Sequence, residues 1–481
     1  MSKITDYIDF YGSDASTIIS TLKDIAQPLL PWGGRLDKLY YPEKHEIVDD
    51  TVCLKDKIRN DGHIEKSARI TIGLEKLLCK RMSEFTFSIP VKRIYSNIED
   101  NEKRKAVVKA LEAIYKTARI DSENLKRGNE LYATCQLLTV WYAVKKPHTL
   151  YAFPCEYKLK CKTYSPMDNY KLYPVFDEMG DMIAMSIDYI KKIANKQITY
   201  FETYTEDTHY IWKSEEAGAY ELVNKNISQD GTIVYGDEIA IMKIPAIFTS
   251  RKESVYESIA NLRSEIEYTL SRNSNVIAYN SAPIIKVAGG IKGQEKKNEA
   301  QRVWRVENGG DVSYVSWSQA IEALKYQVDT MLKLYWQQAQ IPDISFENMK
   351  SLGNIGFDAR QTLLTDAHLK IGDESGSWIE FLDRECNVIK AFLKLMNTEL
   401  ASEVDNVQVE HVITPFIQND ELSEINKRMK ANGGKAIESQ LESIQKYGQS
   451  DDAQATLDQI QAEQAAETSQ RAAAFSMNQS I

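Results

Sequence analysis

Residues 254–279 read SVYESIANLRSEIEYTLSRNSNVIAY, and residues 318–340 read SQAIEALKYQVDTMLKLYWQQAQ. In the first stretch Val255, Ile259, Leu262, Ile266 and Leu270 step by 4, 3, 4 and 4; in the second Ile321, Leu324, Val328, Met331 and Tyr335 step by 3, 4, 3 and 4. That spacing gathers apolar side chains on one face of a helix. Pro283 ends the first stretch, Ser318 can cap the second, and Pro342 lies just past it. The pattern predicts two helices of similar length flanking an insert, residues 281–318. An antiparallel pair carrying a small domain at its tip is the simplest geometry. One copy of such a stalk leaves much helical surface in water, so it asks for neighbours. Inside the insert, 284–287 reads as a strand, 296–304 as a charged helical turn, and Asn308-Gly309-Gly310 as the turn of a hairpin.

Upstream, residues 149–248 hold short alternating runs between turn signals, at 150–153, 171–176, 182–189, 197–204, 209–212, 220–223 and 239–244. These read as half-buried antiparallel strands. Before them, helical patterns cover 65–82, 101–115 and 121–138, with strands expected at 85–89 and 139–144. Downstream, 343–357 is rich in turn residues and leads into a long helix from Asp358 to about Leu400, interrupted by Gly372 and Gly376. A strand at 407–413 follows. The tail, rich in Gln and Ala, reads as helices at 421–432, 435–447 and 453–467 with its last dozen residues frayed. Helices and strands segregated in this way make an α+β chain.

The 481 residues suggest several domains rather than one. With 59 basic and 69 acidic residues the formal charge is −10, and 43% of residues are hydrophobic. Such a composition belongs to a folded protein and argues against a basic coat that binds nucleic acid tightly, which needs excess Lys and Arg to release counterions. Tyrosine is abundant, at 26 residues, and suits broad, half-wet contact surfaces. No apolar run approaches the length of a membrane span, and no export signal is expected at the start. The six cysteines (53, 79, 135, 155, 161 and 386) have no metal or redox spacing and read as ordinary thiols of a reducing cytosol. No phosphate loop, zinc-protease motif or nucleophile elbow occurs. Gly289-Gly290-Ile291-Lys292-Gly293 has the wrong spacing for phosphate; His45-Glu46 with Asp49-Asp50, and Glu206-Asp207 with His209, read as polar turns rather than metal or catalytic clusters.

The order stripe, insert, stripe, Pro-Asp, flexible loop, long helix resembles the portal proteins of tailed bacteriophages, of the long-tailed-phage type. The resemblance runs from about residue 60 to about residue 468. It is carried by short strings in a shared order: Phe87-Ser88-Ile89-Pro90-Val91; Ser165-Pro166-Met167-Asp168 with Leu172-Tyr173-Pro174-Val175-Phe176-Asp177; Phe201-Glu202-Thr203-Tyr204-Thr205; Lys243-Ile244-Pro245-Ala246-Ile247-Phe248; Gln340-Ile341-Pro342-Asp343; and the tail 434–467. One string departs from the family: where S-G-x-A-l is common after the tunnel loop, this chain has Asn354-Ile355-Gly356-Phe357-Asp358-Ala359-Arg360. The loop boundary is therefore set only to within several residues.

The resemblance implies a wing at 1–250, with its β-rich part at 149–248, a first stem helix at 251–280, a clip at 281–318 and a second stem helix at 319–340. It further implies a tunnel loop at 341–357, a long wing helix and return strand at 358–415, and a helical crown with its tail at 416–481. It implies a ring of about twelve subunits closed by heterologous contacts, placed in the virion at one capsid vertex and assembled in the host bacterial cytoplasm. Double-stranded DNA would pass through it without sequence readout during packaging and ejection. The implied partners are the terminase large subunit, a head-completion or adaptor protein, and the major capsid and scaffold proteins, with no membrane, no cofactor, no metal and no catalytic residues. Under this reading Lys325, Lys333, Gln337, Gln340, Asn348 and Lys350 face the channel; the other reading of Lys325 and Lys333 pairs them with Glu322 and Asp329. Lys292, Lys296, Lys297, Arg302 and Arg305 would dock the clip, and Ile259, Leu262, Ile266, Leu324, Val328 and Met331 would pack the stem.

Two alternatives stand beside the portal reading: another oligomeric virion or scaffolding protein with a helical stalk, and a cytosolic enzyme whose site is assembled from scattered residues. The charge distribution accommodates a conduit. Residues 251–340 hold 12 basic and 10 acidic residues, a surplus of two, so the rest of the chain carries −12. A nearly neutral stem suits sliding DNA better than gripping it.

Overall fold

The computed structural model describes all residues except 1–3, 5–7, 9–13, 59–61, 99–100, 194–195, 217, 228–232, 281–283, 289–290, 299–300, 307–310, 316–320, 344–361, 363, 417–428, 431–432, 434–437, 448–452 and 479–481. Helix α1 (Ala15–Ile25) opens at Asp14, whose carboxylate accepts from the Thr17 N–H at 3.1 Å. After a short hairpin of β1 (Lys57–Ile58) and β2 (Ile64–Glu65) comes α2 (Leu74–Phe87), then β3 (Lys92–Ser96), α3 (Glu102–Ala118) and α4 (Ile120–Thr134). Asn101 caps α3, and Arg119, in the left-handed conformation at φ 56°, turns the chain into α4. Strands β4 (Gln136–His148) and β5 (Cys155–Tyr164) form a long hairpin.

Next, β6 (Lys171–Phe176), β7 (Met182–Ile193), β8 (Lys196–Tyr204), β9 (Thr208–Glu215) and β10 (Glu221–Leu222) run as an antiparallel meander. A hairpin of β11 (Lys225–Ile227) and β12 (Ile233–Tyr235) follows, and β13 (Asp237–Glu238) pairs with β9. One face of the meander, with Phe201, Tyr210 and Trp212, buries Ile18, Ile19 and Leu22 of α1 in a core of its own. Strand β14 (Ala246–Ser250) then returns to pair with β4, in the order β14-β4-β5.

Helices α5 (Ala260–Asn280) and α6 (Ile321–Ala339) bracket four strands, β15 (Ile284–Ala288), β16 (Ile291–Asn298), β17 (Gln301–Val306) and β18 (Asp311–Val315). Long helix α7 (Thr365–Met396) follows, and β19 (Gln408–Val412) pairs with β3. The chain divides into two compact units. The larger holds Met1–Ser351 and Leu363–Phe416; the smaller, Leu352–Thr362 and Ile417–Ile481, contains α8 (Gln440–Tyr447) and α9 (Ala453–Asn478).

Several local expectations are corrected. Residues 85–87 are the last turn of α2, not a strand, and α2 begins at Leu74 rather than near Glu65. Phe85, Thr86 and Phe87 are all buried, which an element enclosed on every side permits and a one-sided strand does not. The Thr86 hydroxyl donates back to the Met82 carbonyl at 2.7 Å. Residues 150–153 are the turn of the β4–β5 hairpin, with Ala152 at φ 64°, and β5, disguised by its alternating lysines, is a strand that the hydrophobic pattern missed. Residues 239–244 form a turn; the strand starts after Pro245. The charged stretch 296–304 belongs to the β16–β17 hairpin, and β15 pairs with β18; the turn expected at Asn308-Gly309-Gly310 lies outside the described residues. Helix α7 continues through Gly372 and Gly376, beside which nothing lies within 4 Å of an added Cβ. Helix α9 continues to Asn478, beyond the end expected at 467. The helix expected at 421–432 and the Ser318 cap lie outside the described residues, the former apart from its short end at 429–430.

A fully buried charge pair crosses the main core between α4 and α7. Arg127 of α4 and Glu385 of α7 are both fully buried, with Arg127 Nη2 donating to Glu385 Oε1 at 2.9 Å. Trp141 of β4 donates its indole N–H to the same oxygen at 2.9 Å, and Asn124 accepts from Arg127 Nη1 at 3.0 Å. Three elements thus meet on one carboxylate. Trp378 of α7 packs edge-on against Phe87 at 4.8 Å and donates to the Tyr132 hydroxyl at 3.0 Å. Removing Glu385 would strand a buried guanidinium, which costs about 3–5 kcal/mol. Glu385→Ala is expected to lower unfolding stability by that amount in urea titration, whereas a loss below about 1 kcal/mol would show that water reaches the pair.

Candidate functional site

The α5–α6 pair carries the residues singled out in sequence. The two helices pack together, and β15 and β18 pair antiparallel where the chain leaves and re-enters the pair. The apolar row of α5 points into the main core: Ile259 and Ile266 are buried, and Leu262 and Leu270 are half-buried against it. On α6, Val328, Met331 and Leu332 are half-buried and Tyr335 and Ala339 fully so, while Leu324 is half-buried farther along the helix.

A second row on α5 is polar and equally buried. Arg263, Glu267 and Ser271 are almost fully enclosed, and Asn275 continues the row at the same four-residue spacing. Arg263 Nε donates to Glu75 of α2 and its Nη1 to Glu267, each at 2.8 Å. The other Glu267 oxygen accepts from His45 Nδ1 and from the Ile72 N–H, each at 2.7 Å. His45 Nε2 donates to the Leu39 carbonyl at 2.9 Å. Next along the row, the Ser271 hydroxyl accepts the Ile70 N–H at 2.8 Å, and Asn275 accepts the Ala68 N–H at 2.6 Å and donates to its carbonyl at 3.2 Å. Residues 68–72 therefore form an extended strap whose alternate amides (68, 70 and 72) step along one face of α5. A strand advances two residues in about 6.7 Å and a helix four residues in about 6 Å, so the two repeats keep pace.

The two carboxylates respond differently to burial. Burial pushes Glu75 up despite the Arg263 guanidinium, and its second oxygen has no hydrogen-bond donor. Burial also disfavours charge on Glu267, but the donors at His45, Ile72 and Arg263 outweigh it and hold its carboxyl below the usual range. Sequence reading places His45 in a polar turn and singles out neither Arg263 nor Glu267. The available signal was the four-residue polar row lying beside the apolar one.

The C-terminal end of α6 is equally fixed. Gln340 is left-handed at φ 56° and its N–H donates to Gln337 O at 3.2 Å, while Lys370 of α7 donates to the Ala339 carbonyl at 2.7 Å. Burial lowers the Lys370 pKa. Ile341 is buried beneath the turn. At the root of α5, the Tyr256 hydroxyl donates to Ala133 O at 2.7 Å, and Arg251 pairs with Glu374 of α7 above the Tyr132 ring.

Lys325, Asp329, Lys333 and Gln337 form an exposed row along α6, about 18 Å from end to end. Among the described residues no ion pair joins either lysine to Glu322 or Asp329. Lys292, Lys296 and Lys297 lie on β16 and Arg302 and Arg305 on β17, with the Cα of Lys296 opposite Arg302 and that of Gly293 opposite Arg305. Asn348 and Lys350 lie outside the described residues. Among the described residues no group of His, Cys, Asp and Glu could hold a metal ion, and no helix is long and apolar enough to cross a membrane. All six cysteines are free thiols.

Ser271→Ala is expected to release the Ile70 amide and raise hydrogen exchange at residues 68–72 by roughly tenfold, the equivalent of one hydrogen bond of about 1–1.5 kcal/mol. Unchanged protection would show that other contacts hold the strap.

The family model described as "Phage portal protein, SPP1 Gp6-like" matches residues 35–470. No curated protein matches the chain. Among solved structures, the chain in "Neck of empty GTA particle computed with C6 symmetry" is 11% identical with a TM-score of 0.37, covering 89% of this chain and 96% of that one. The chain in "Virion of native gene transfer agent (GTA) particle" is 11% identical with a TM-score of 0.31, covering 77% and 87%. Because the family match spans most of the sequence, including both helices and everything between them, the chain belongs to the SPP1 Gp6-like family of phage portal proteins.

Proposed function

We propose that copies of this chain close into a ring of about twelve by heterologous contacts, that α5 and α6 line up around a central channel, and that double-stranded DNA passes through it during packaging and ejection. The observation that carries the ring is apolar surface left in water on both helices of the pair. Tyr268 and Ile277 on α5 are 40% and 49% exposed, and Tyr326 and Leu334 on α6 are 75% and 40% exposed. Four large apolar side chains on one helical pair are what neighbouring copies would cover. In this reading residues 1–250 are the wing, 281–318 the clip, 341–357 the tunnel loop, 358–415 the long wing helix and its return strand, and 416–481 the crown.

The row Lys325, Lys333 and Gln337, together with Gln340, Asn348 and Lys350, would face the DNA. Isolated lysines act as point charges toward phosphate and have no fork for reading bases, which suits sliding. The basic hairpin β16–β17, with Lys292, Lys296, Lys297, Arg302 and Arg305, would dock the terminase large subunit and later a head-completion protein. Contacts with the major capsid and scaffold proteins would place the ring in the virion, at a capsid vertex, after assembly in the host bacterium. No chemistry on a substrate is assigned to the chain; the work of transport falls to a separate motor.

Electron microscopy of the purified protein is expected to show rings with a central hole, and light scattering a mass of about twelve subunits; a compact monomer in both would remove the reading. Lys350→Glu is expected to reduce DNA retention or the yield of filled heads, and unchanged yields would count against a channel role for the loop.

A further inference from the structure

The charge of this chain is unevenly placed. Residues 102–164 hold 13 basic and 6 acidic residues, a surplus of seven in a chain whose total is −10. Four of those cations are paired: Arg104 with Glu403, Lys105 with Glu102, Lys126 with Glu130 and Arg127 with Glu385. Asp121 is taken by Arg93. Nine cations remain without an ion pair against three carboxylates, Glu112, Glu123 and Glu156.

The fold brings these cations together. Strand β14 pairs with β4 only as far as Val140, so the rest of the β4–β5 hairpin extends past it as a two-stranded ribbon. Leu159 and Cys161 turn one face of β5 inward, and α3 packs against that strand. Lys158, Lys160 and Lys162 alternate with them and so share the opposite face, where Tyr142 stands across from Lys160. Lys145 and Lys146 add two exposed cations toward the turn. Lys116 and Arg119, both exposed, close the C-terminal end of α3, and the Tyr151 hydroxyl accepts the Leu159 N–H of β5 at 3.0 Å. Lys162 lies over the rings of Tyr164 and Tyr170, 4.4 and 5.0 Å from their centroids.

We infer that the β4–β5 ribbon and the adjoining end of α3 form a binding surface for the phosphate backbone of double-stranded nucleic acid, separate from the α5–α6 pair. The regular row of lysines repeats a point charge along a line, as a polyanion with evenly spaced charges requires, and it lacks the arginine forks that would read bases. The interleaved tyrosines offer hydroxyl donors to phosphate. The surface is thus built for contact independent of sequence, and it goes beyond the channel reading because it lies outside the helices that reading uses.

The test is fluorescence anisotropy of the full-length protein with a labelled duplex of about 30 base pairs, titrated between about 50 and 200 mM salt. The variant K145Q/K146Q/K158Q/K160Q changes four lysines that make no ion pair or side-chain hydrogen bond, so its melting temperature should match that of the parent. Its affinity is expected to fall at least tenfold, and the slope of log affinity against log salt to become shallower by about three. The companion variant K325Q/K333Q reports the contribution of the α5–α6 pair, and the ribbon variant is expected to lose the more affinity of the two. If the slope follows the companion variant instead, the ribbon is not the site and the channel reading stands alone. If the ribbon variant keeps the parent's affinity and slope, or if polyglutamate of equal charge binds more tightly than the duplex, the inference is overturned.

Discussion

A buried guanidinium between two buried carboxylates fixes the root of the helical pair. Arg263 cannot shed its charge, and in a dry setting it needs both Glu75 and Glu267 close by. Glu75 belongs to α2, and Glu267 also holds His45 and the Ile72 amide, so this charge network binds two stretches of chain, around His45 and across residues 72–75, to α5. An apolar seam tolerates sliding, since dispersion contacts are interchangeable. A network of charge-assisted hydrogen bonds does not, because a one-residue slip leaves charges unpaired. The register of α5 against the rest of its unit is thereby set.

The same logic recurs at the other anchor points of the pair. Tyr256 ties the start of α5 to the end of α4, and Lys370 ties the end of α6 to α7. The long helix α7 is in turn held through Glu385 to α4 and β4. The helical pair is therefore braced at its base by polar contacts and left exposed toward the insert, where Tyr268, Ile277 and Tyr326 meet water. In the ring proposed for this chain, those exposed flanks are what neighbouring copies would cover.

Much of this was legible in the amino-acid order. The two apolar stripes mark α5 and α6 because a helix repeats every 3.6 residues whatever surrounds it. Strand β6 was located to the residue because its flanking turns are strong signals. Legibility failed where two patterns carry the same composition. Phe85-Thr86-Phe87 alternates like a strand but closes a helix, and all three residues of that last turn are buried. The lysine-rich β5 and β16 look like surface helix or loop, since polar strands lack the apolar beat that identifies a half-buried sheet. His45 looked like part of a solvated turn because its partner lies 222 residues away.

The sequence alone determined the helical pair, its insert, the absence of a recognisable catalytic motif and the family resemblance, because these depend on local periodicity, short motifs and their order along the chain. Only the tertiary structure decided which charges are buried and which are free. Arg263 and Lys160 are both cations among mixed neighbours, yet one is sealed between carboxylates and the other stands in water on an open ribbon. Burial depends on what the distant chain brings alongside, and desolvation makes that difference the largest electrostatic distinction between two otherwise similar residues.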